Sequence, residues 1–539
     1  MYQRETTNHR VQIRRHSVKI FMLIAFLFPF AIYLITLNPS IGFIDNGELV
    51  TVCRTLGIAH PTGYPLYTLL GRIITFVPIK TIAFRVNMLS ALFSSLASFF
   101  LFQFLLKKTN NVFLSLTGAV IFSCSRIVWH QSTSAEVYSI TFFFLTLLLY
   151  LEASDLKNKL LLIGFMAGLS VTNHMIIITF LAPFFIYLLL TREFKNLKTI
   201  LLFLLFFLIG ITLYLYLPIR GTLQPLLNWG RPVPFERFLW HVSGKQYRVW
   251  MFTGDISTIK TNILTFLKLT GSQFTPVLIV FAIPGIYHLF AISKKRAVFL
   301  LSLFLVNGSY AVNYDIPDIE PYFIITILVY TIFIIYGLCF FSKRIKWIAF
   351  ASPILAIFVV LCNFHNANER QNHIAYDMCS NLFFSVKENG IVITNDWDYY
   401  SPALYVRYIE GKRNDIVMID KELLRRSWYF DYLNKAYPWL IEKSHSEVEA
   451  YLELLVNFEH DKLLNPDEIQ RRFIVMINSF IDENIAERPC YITFLNGADR
   501  DASSIATQYQ KTPFGIVYEI SHVPDTTYFD YAQFALRGA

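Results

Sequence analysis

Apolar runs of roughly 15–22 residues recur along this chain, the length needed to cross a bilayer core. They lie near 18–37, 85–106, 112–129, 137–151, 160–174, 175–190, 198–218, 274–292, 297–312, 321–341 and 346–363. A backbone surrounded by hydrocarbon must satisfy its own hydrogen bonds, which restricts such runs to helices. The expected fold class is therefore mainly α: a multi-pass transmembrane helical bundle of about eleven spans. Almost no loop separates 160–174 from 175–190, and 64–78 reads as a re-entrant or short spanning segment. Composition agrees, with 55% of the 539 residues hydrophobic and only 16% charged. A soluble globular chain is roughly a quarter charged. The mean hydropathy of +0.46 excludes a disordered chain and a small disulfide scaffold.

The formal charge of +9 does not point to nucleic acid, because it averages two opposite regions. Residues 1–363 carry 30 Lys and Arg against 12 acids, whereas residues 364–539 carry 17 against 26. This divides the chain into a basic membrane domain, 1–363, and an acidic tail, 364–539. If the N-terminus is cytoplasmic, the inner loops hold 18 Lys and Arg against 4 acids, and the outer side of the membrane domain holds 12 against 8. That is the asymmetry of the positive-inside rule. The first run has a basic flank (Arg10, Arg14, Arg15, Lys19) and no small-residue cleavage site, as in an uncleaved anchor. The tail then lies outside, in the periplasm of a bacterium or the lumen of the endoplasmic reticulum. It alternates buried-strand patterns at 390–394, 415–420, 491–494 and 515–520 with helical spacing over 399–410 and 445–485. A small α/β extracytoplasmic domain is expected. None of the six cysteines forms a CxxC pair, and Cys379 and Cys490 in the tail are the one candidate disulfide.

The outer loops hold nearly all the unusual polar residues. Asp45 and Glu48 are three apart just beyond the first span, so a helix would place both carboxylates on one face. Acids beside a bilayer are costly and commonly functional. One could act as general base on an acceptor hydroxyl while the other orients substrate or binds a cation; the plain alternative is a solvated loop with a capping Asp. The turn His60-Pro-Thr-Gly-Tyr64-Pro65 is stiff and would hold His60 and Tyr64 facing back toward Asp45. His130, Glu136 and Tyr138 open one span from the outer side, and Asn173-His174 sits at another outer helix end. Arg220 and Arg231 are outer-face guanidiniums suited to a lipid phosphate, or to snorkelling toward ordinary headgroups. Asp315, Asp318 and Glu320 cluster before a later span. Asp396 and Asp398 resemble a nucleotide-sugar DxD motif, which the outer compartment disfavours. No phosphate-cradling glycine loop, HExxH or GxSxG is present.

The run from Asp45-x-Gly47-Glu48 through Leu56-Gly57-Ile-Ala-His60-Pro-Thr-Gly63-Tyr64-Pro65 to Gly71-Arg72 resembles the signature of the DUF2723 family, multi-pass protein O-mannosyltransferases and bacterial glycosyltransferases similar to glycosyltransferase clan C (GT-C). The resemblance continues at Ala135-Glu136-Val-Tyr138, at Gly168 to Asn173-His174, at Leu217-Pro-Ile-Arg220, at Asn228-Trp229-Gly230 and over 390–430. Thr62 stands where the family pattern has a second proline, and the chain lacks the long helical-repeat tail of vertebrate members, so the acceptor need not be shared. The resemblance implies an inverting enzyme that takes a sugar, mannose or a similar hexose, from a polyprenyl-phosphate carrier on the outer membrane face. Its partners would be that lipid-linked sugar, the bilayer and an exported protein or peptide acceptor, with no nucleic acid. It further implies Asp45 as base and Glu48 as its catalytic partner. His60, Tyr64, Glu136, Tyr138, Asn173, His174, Asn228 and Trp229 would bind substrate, and Arg220 and Arg231 the lipid phosphate. No metal ligand is assigned, and a divalent cation at the acids stays open. Two other readings are transfer to an envelope glycan or lipid, and a transporter or flippase; the latter class tends to show paired repeats and midplane acids, neither of which is visible here.

Overall fold

A computed structural model describes residues 2–462, 465–494, 499, 501–523 and 529–537, with side chains from residue 18 onward. The side chains of Arg10, Arg14 and Arg15 lie outside the described residues. Six helices among the described residues are long and apolar enough to span a membrane: Val18–Thr36, Ile82–Thr109, Leu197–Thr222, Lys294–Val312, Glu320–Ser342 and Trp347–Phe364. Two further apolar stretches are bent pairs, and three apolar helices are shorter: Tyr138–Ala153, Lys159–Val171 and Met175–Leu190. The protein is an integral, mainly helical membrane protein.

The bent pairs depart from the straight spans expected from hydropathy. The run at 112–129 breaks into Val112–Ser123 and Arg126–Ser132, inclined at 66°. Buried amides stabilise the break: Gln273 Oε1 accepts the Ile127 N–H at 2.8 Å, and Asn363 Nδ2 donates to the Cys124 carbonyl at 2.8 Å. The segment 219–273, expected to be a long loop, contains the helices Phe235–Val242 and Ile256–Ile279. The second is kinked at Thr275, just before Pro276, which cannot donate to the helical ladder. It meets Ala282–Ile292 at 72°.

Small residues let the helices approach closely, as is common in membranes. A Cβ on Gly164 or Gly168 would lie 2.5 Å from the Phe203 carbonyl or 2.1 Å from that of Phe207. On another pair, a Cβ on Gly285 or Gly337 would lie 1.8 or 2.0 Å from a facing carbonyl.

The tail contains a five-stranded sheet of β1 (Ile391–Thr394), β2 (Val417–Asp420), β3 (Cys490–Ile492), β4 (Gln510–Phe514) and β5 (Val517–Ser521), in the order β2-β1-β3-β5-β4. β1 runs parallel to both neighbours, and β5 and β4 add an antiparallel edge. Every residue of β1, β2 and β3 is buried, which explains their unbroken apolar character. β4, with its exposed and partly buried alternation, left little hydropathic signal. The helical region expected over 445–485 is two helices, His445–Glu459 and Pro466–Asp482. Cys379 and Cys490 are both free thiols, so the candidate disulfide is absent.

After β1 the chain turns through Asn395 into helix Trp397–Tyr408, which packs directly on helix Asn46–Thr55. The carboxyl end of a parallel strand is where α/β sheets usually present functional groups. Here that end is pressed against the membrane domain at the acidic motif.

Candidate active site

Helix Asn46–Thr55 is fixed at both ends by polar side chains. Asn46 is fully buried; its Oδ1 accepts the Gly42 N–H at 2.9 Å and its Nδ2 donates to Ser134 Oγ at 2.9 Å. Buried Asn87 donates to the carbonyls of Asn38 and Ser40 at 2.9 and 2.8 Å, holding the incoming loop. At the far end Leu56 takes a left-handed conformation, and the Arg220 Nε–H donates to its carbonyl at 2.8 Å. A cation at a helix C-terminus is favourably placed. Ile58 N–H then reaches the Leu227 carbonyl at 2.7 Å, which brings Asn228 and Trp229 alongside.

Asp45 occupies the N-cap position without a side-chain capping bond, and Glu48 lies in the first turn. Both carboxylates meet His60. Glu48, only 1% exposed, accepts the His60 backbone N–H at 2.8 Å on Oε1 and faces His60 Nδ1 at 2.7 Å with Oε2. His60 Nε2 lies 2.8 Å from the Tyr64 hydroxyl and 3.5 Å from Asp45 Oδ2. Gly63, at φ +86°, makes the turn that folds Tyr64 back over His60.

The charges in this cluster set one another. Burial alone would depress the His60 imidazolium, but the Asp45 and Glu48 carboxylates outweigh it and raise His60 to about 9. Burial raises Asp45; His60 opposes this, Glu48 adds to it, the Trp397 N–H opposes it, and the carboxyl ends above its ordinary range. Near neutral pH the cluster therefore holds a charged imidazolium between two acids. His174 is driven the other way, to about 3, by burial and by the His60 charge. It is neutral, and since its Nδ1 accepts the Ile176 N–H at 3.1 Å, its proton sits on Nε2.

The tail closes over the acids. The Trp397 indole N–H donates to Asp45 Oδ1 at 3.0 Å, Asp398 Oδ1 accepts the Ile44 N–H at 2.6 Å, and the Glu48 N–H donates to Ser401 Oγ at 3.0 Å. Asp396 and Asp398 are thus capping groups: Asp396 accepts the Asp398 N–H at 2.9 Å at the start of helix Trp397–Tyr408. Trp397, Ser401 and Trp428 were invisible to sequence reasoning, because their partners lie some 350 positions away in the case of Asp45 and Trp397.

Most of the other residues singled out in the sequence surround this cluster. Tyr64 stacks on His174 at 5.8 Å, and His174 meets Tyr138 at 5.1 Å and Tyr322 at 5.9 Å. Asn173 Nδ2 ties this wall to the next helix through the Val137 carbonyl at 2.9 Å and Thr141 Oγ1 at 3.0 Å. Burial, then the charges of Asp45 and Asp318, hold the Glu136 carboxyl well above its usual range. Trp229 stands 6.0 Å from His60 and packs against Trp397 at 5.6 Å and Trp428 at 4.9 Å. Asn228 Nδ2 donates to the Gly221 carbonyl at 3.3 Å. Arg231 is displaced from the acids and pairs with Asp431 of the tail at 2.8 Å, both half exposed. His130, 3.6 Å from Glu369, lies apart as well.

Asp45, Glu48 and His60 offer ligand atoms within 4.8 Å of one another, the spacing of a cation site. The donor set fits poorly. A metal needs a neutral imidazole with a free lone pair, whereas both His60 nitrogens already face oxygen atoms, Glu48 Oε2 at 2.7 Å and the Tyr64 hydroxyl at 2.8 Å. The arrangement suits proton handling: a half-open carboxylate, 29% exposed, oriented by an indole N–H and an imidazolium.

Residues 45–198 match the family model described as the protein O-mannosyl-transferase TMEM260 N-terminal domain. That interval includes the acid motif, Glu136, Tyr138, Asn173 and His174; Arg220, Asn228, Trp229 and the tail lie beyond it. The chain is 28% identical over 466 residues to protein O-mannosyl-transferase TMEM260 of Mus musculus, covering 79% of this chain and 65% of the mouse protein. It is 22% identical to the Dictyostelium discoideum protein of the same name, covering 96% of this chain and 69% of that protein. The chain thus spans just under two thirds of the mouse relative's length. Its fold resembles that of ArnT from Cupriavidus metallidurans, solved bound to undecaprenyl phosphate, with a TM-score of 0.50 and 10% identity over 76% of this chain and 91% of ArnT.

Proposed function

We propose that this protein is an inverting membrane glycosyltransferase that moves a hexose, mannose or a close relative, from a polyprenyl-phosphate carrier to a Ser or Thr hydroxyl of an exported protein. The observation that carries the reading is Asp45: a half-open carboxylate oriented by Trp397 and His60 beside an aromatic wall. Asp45 takes the proton of the acceptor hydroxyl as its oxygen bonds to the sugar's anomeric carbon. The bond from that carbon to the carrier phosphate breaks, and the lipid phosphate leaves with the electron pair. The His60 charge and the Trp397 N–H favour ionised Asp45, and Glu48 holds His60 in place. Support comes from the relatives, both named protein O-mannosyl-transferases, and from the fold shared with a protein solved with undecaprenyl phosphate.

In the same reading the chain belongs with the wider DUF2723 grouping. It crosses the membrane eleven times, counting each bent pair and each shorter apolar helix once. Residues 1–363 form the membrane domain, and the tail, 364–539, lies outside, in the bacterial periplasm or the lumen of the endoplasmic reticulum. Tyr64, Tyr138, Asn173, His174, Glu136, Asn228 and Trp229 enclose the sugar and acceptor. Arg220 and Arg231 are the outer-face cations nearest the route of the lipid phosphate, although each already serves a structural partner.

Purified protein, offered a panel of polyprenyl-phosphate sugars and Ser/Thr peptides, should transfer one hexose to peptide, at the same rate with EDTA as without. Transfer only to glycan or lipid, with exported glycopeptides unchanged in a deletion strain, would overturn the protein acceptor. The pH profile follows from the cluster. Activity should rise with pH through a value above the ordinary aspartate range as Asp45 loses its proton, then fall near pH 9 as His60 loses its charge. In His60→Gln the alkaline limb should vanish; an unchanged limb rejects the role of the imidazolium. Because the folded pKa of His60 exceeds its ordinary 6.5, its charge stabilises the fold fully below that pH, and the contribution is lost as pH rises through about 9.

A further inference from the structure

Between the outer loop 229–249 and the tail lies a cavity of about 730 Å³. It is of the size that holds a small ligand or a few residues of a peptide. Its inner wall is Trp229, which also faces His60 at 6.0 Å, so the cavity leads to the catalytic cluster. Among the described residues its lining comes from Pro61, from the loop 229–249 and from the tail between Arg426 and Ile469, with none from a spanning helix.

Its charge is unbalanced. Lys245 is neutralised by Asp461 at 2.9 Å, and Glu459 is occupied in capping Ser427, through its N–H at 2.9 Å and its hydroxyl at 2.6 Å. Arg237, Arg248 and Arg426 line the cavity without a carboxylate partner among the described residues; Arg237 reaches only Ser427 Oγ at 3.3 Å, and Arg426 only the Arg425 carbonyl at 3.1 Å. His241 also lines it and is 2% exposed. Gly63 and Gly230 back onto this ring so closely that a Cβ on either would lie 2.8 Å from a ring nitrogen. The flat faces of Trp229, Trp240 and Trp428 supply apolar walls between the cations.

Guanidiniums that outnumber the carboxylates of the cavity, set between aromatic walls, match an extended chain that carries carboxylates beside apolar groups. We propose that this cavity is the acceptor-docking site and that it selects acidic peptide segments flanking the modified Ser or Thr. The inference rests on the glycosyltransferase reading and adds the acceptor's class to it. Docking in the cavity leaves the hydroxyl to pass Trp229 toward Asp45.

The test uses full-length protein and fluorescent Ser/Thr peptides with the same core, flanked by Asp and Glu, by neutral residues or by Lys. Both binding anisotropy and transfer are measured. Acidic flanks should bind and react with a Kd and KM lower by about tenfold than neutral ones, and the advantage should shrink as salt rises. Arg248→Glu, at an exposed side chain, and Arg426→Glu should erase or invert that order. Equal KM for acidic and neutral peptides would overturn the proposal. So would variants that slow release of polyprenyl phosphate to water without acceptor, which would mark the cavity as a lipid-phosphate site. Anisotropy needs no turnover, so charge-dependent peptide binding without transfer would retain the docking site and reject the enzymatic reading.

Discussion

The Asp45→Asn protein should insert and fold as the parent does yet transfer sugar about 10²–10⁴-fold more slowly, the span typical for losing a general base. The substitution is close to isosteric. The amide oxygen can still accept the Trp397 N–H, so the tail contact at 3.0 Å survives. What disappears is the proton acceptor and the largest of the carboxylate charges that raise His60. Residual activity should therefore lose its alkaline limb at a pH below 9. Glu48→Gln makes the comparison informative. Glu48 acts through His60, which it contacts at both the backbone and the ring, and should lower kcat less while shifting the same limb. Initial rates with a polyprenyl-phosphate sugar, beside thermal melts of both variants, decide the matter. Full activity in Asp45→Asn, with an unchanged melt, removes Asp45 as the base.

The legible and illegible parts of this protein divide along physical lines. Hydropathy carries the long spans because each must hide its own backbone, and the basic inner loops carry the expected orientation. Asp45, Glu48, His60 and Tyr64 were legible together because a helical turn and a stiff proline turn bring near neighbours in sequence into contact. The bend at Cys124 was not, since it depends on Gln273 and Asn363 reaching distant backbone groups. His241 gave no signal because its setting is made by two glycines and a cavity wall. The pair Asp396 and Asp398 shows a related limit. A DxD spacing fits a nucleotide sugar and a helix N-terminus equally well; the expected compartment weighed against the sugar, and the Asp396 cap and the Asp398 contact with Ile44 give the two carboxylates their structural partners.

That long-range docking yields the second large effect. Gly47 lies between the two acids where helix Asn46–Thr55 meets the tail backbone: a Cβ there would be 2.2 Å from the Ser401 carbonyl oxygen and 2.5 Å from its carbon. Neither atom can move without moving helix Trp397–Tyr408. Gly47→Val should therefore push the tail away and loosen three contacts at once: Trp397 to Asp45, Ser401 to Glu48 and Asp398 to Ile44. A shift of an ångström at a reacting group can cost about a hundredfold in rate, so kcat should fall at least that far. Overpacking of this kind also costs about 1–3 kcal/mol of stability, visible as a lower Tm. Trp397→Phe separates the two consequences. It removes the N–H to Asp45 but leaves the ring against Trp229 at 5.6 Å and the helix in place. It should raise the acidic limb of the pH profile, because the indole N–H favours the ionised carboxylate, with little change in Tm. If Gly47→Val retained full kcat, the tail would be a neighbour of the site and not part of it. If it lost activity while Trp397→Phe kept the parental acidic limb, the tail would act on the acids through packing alone.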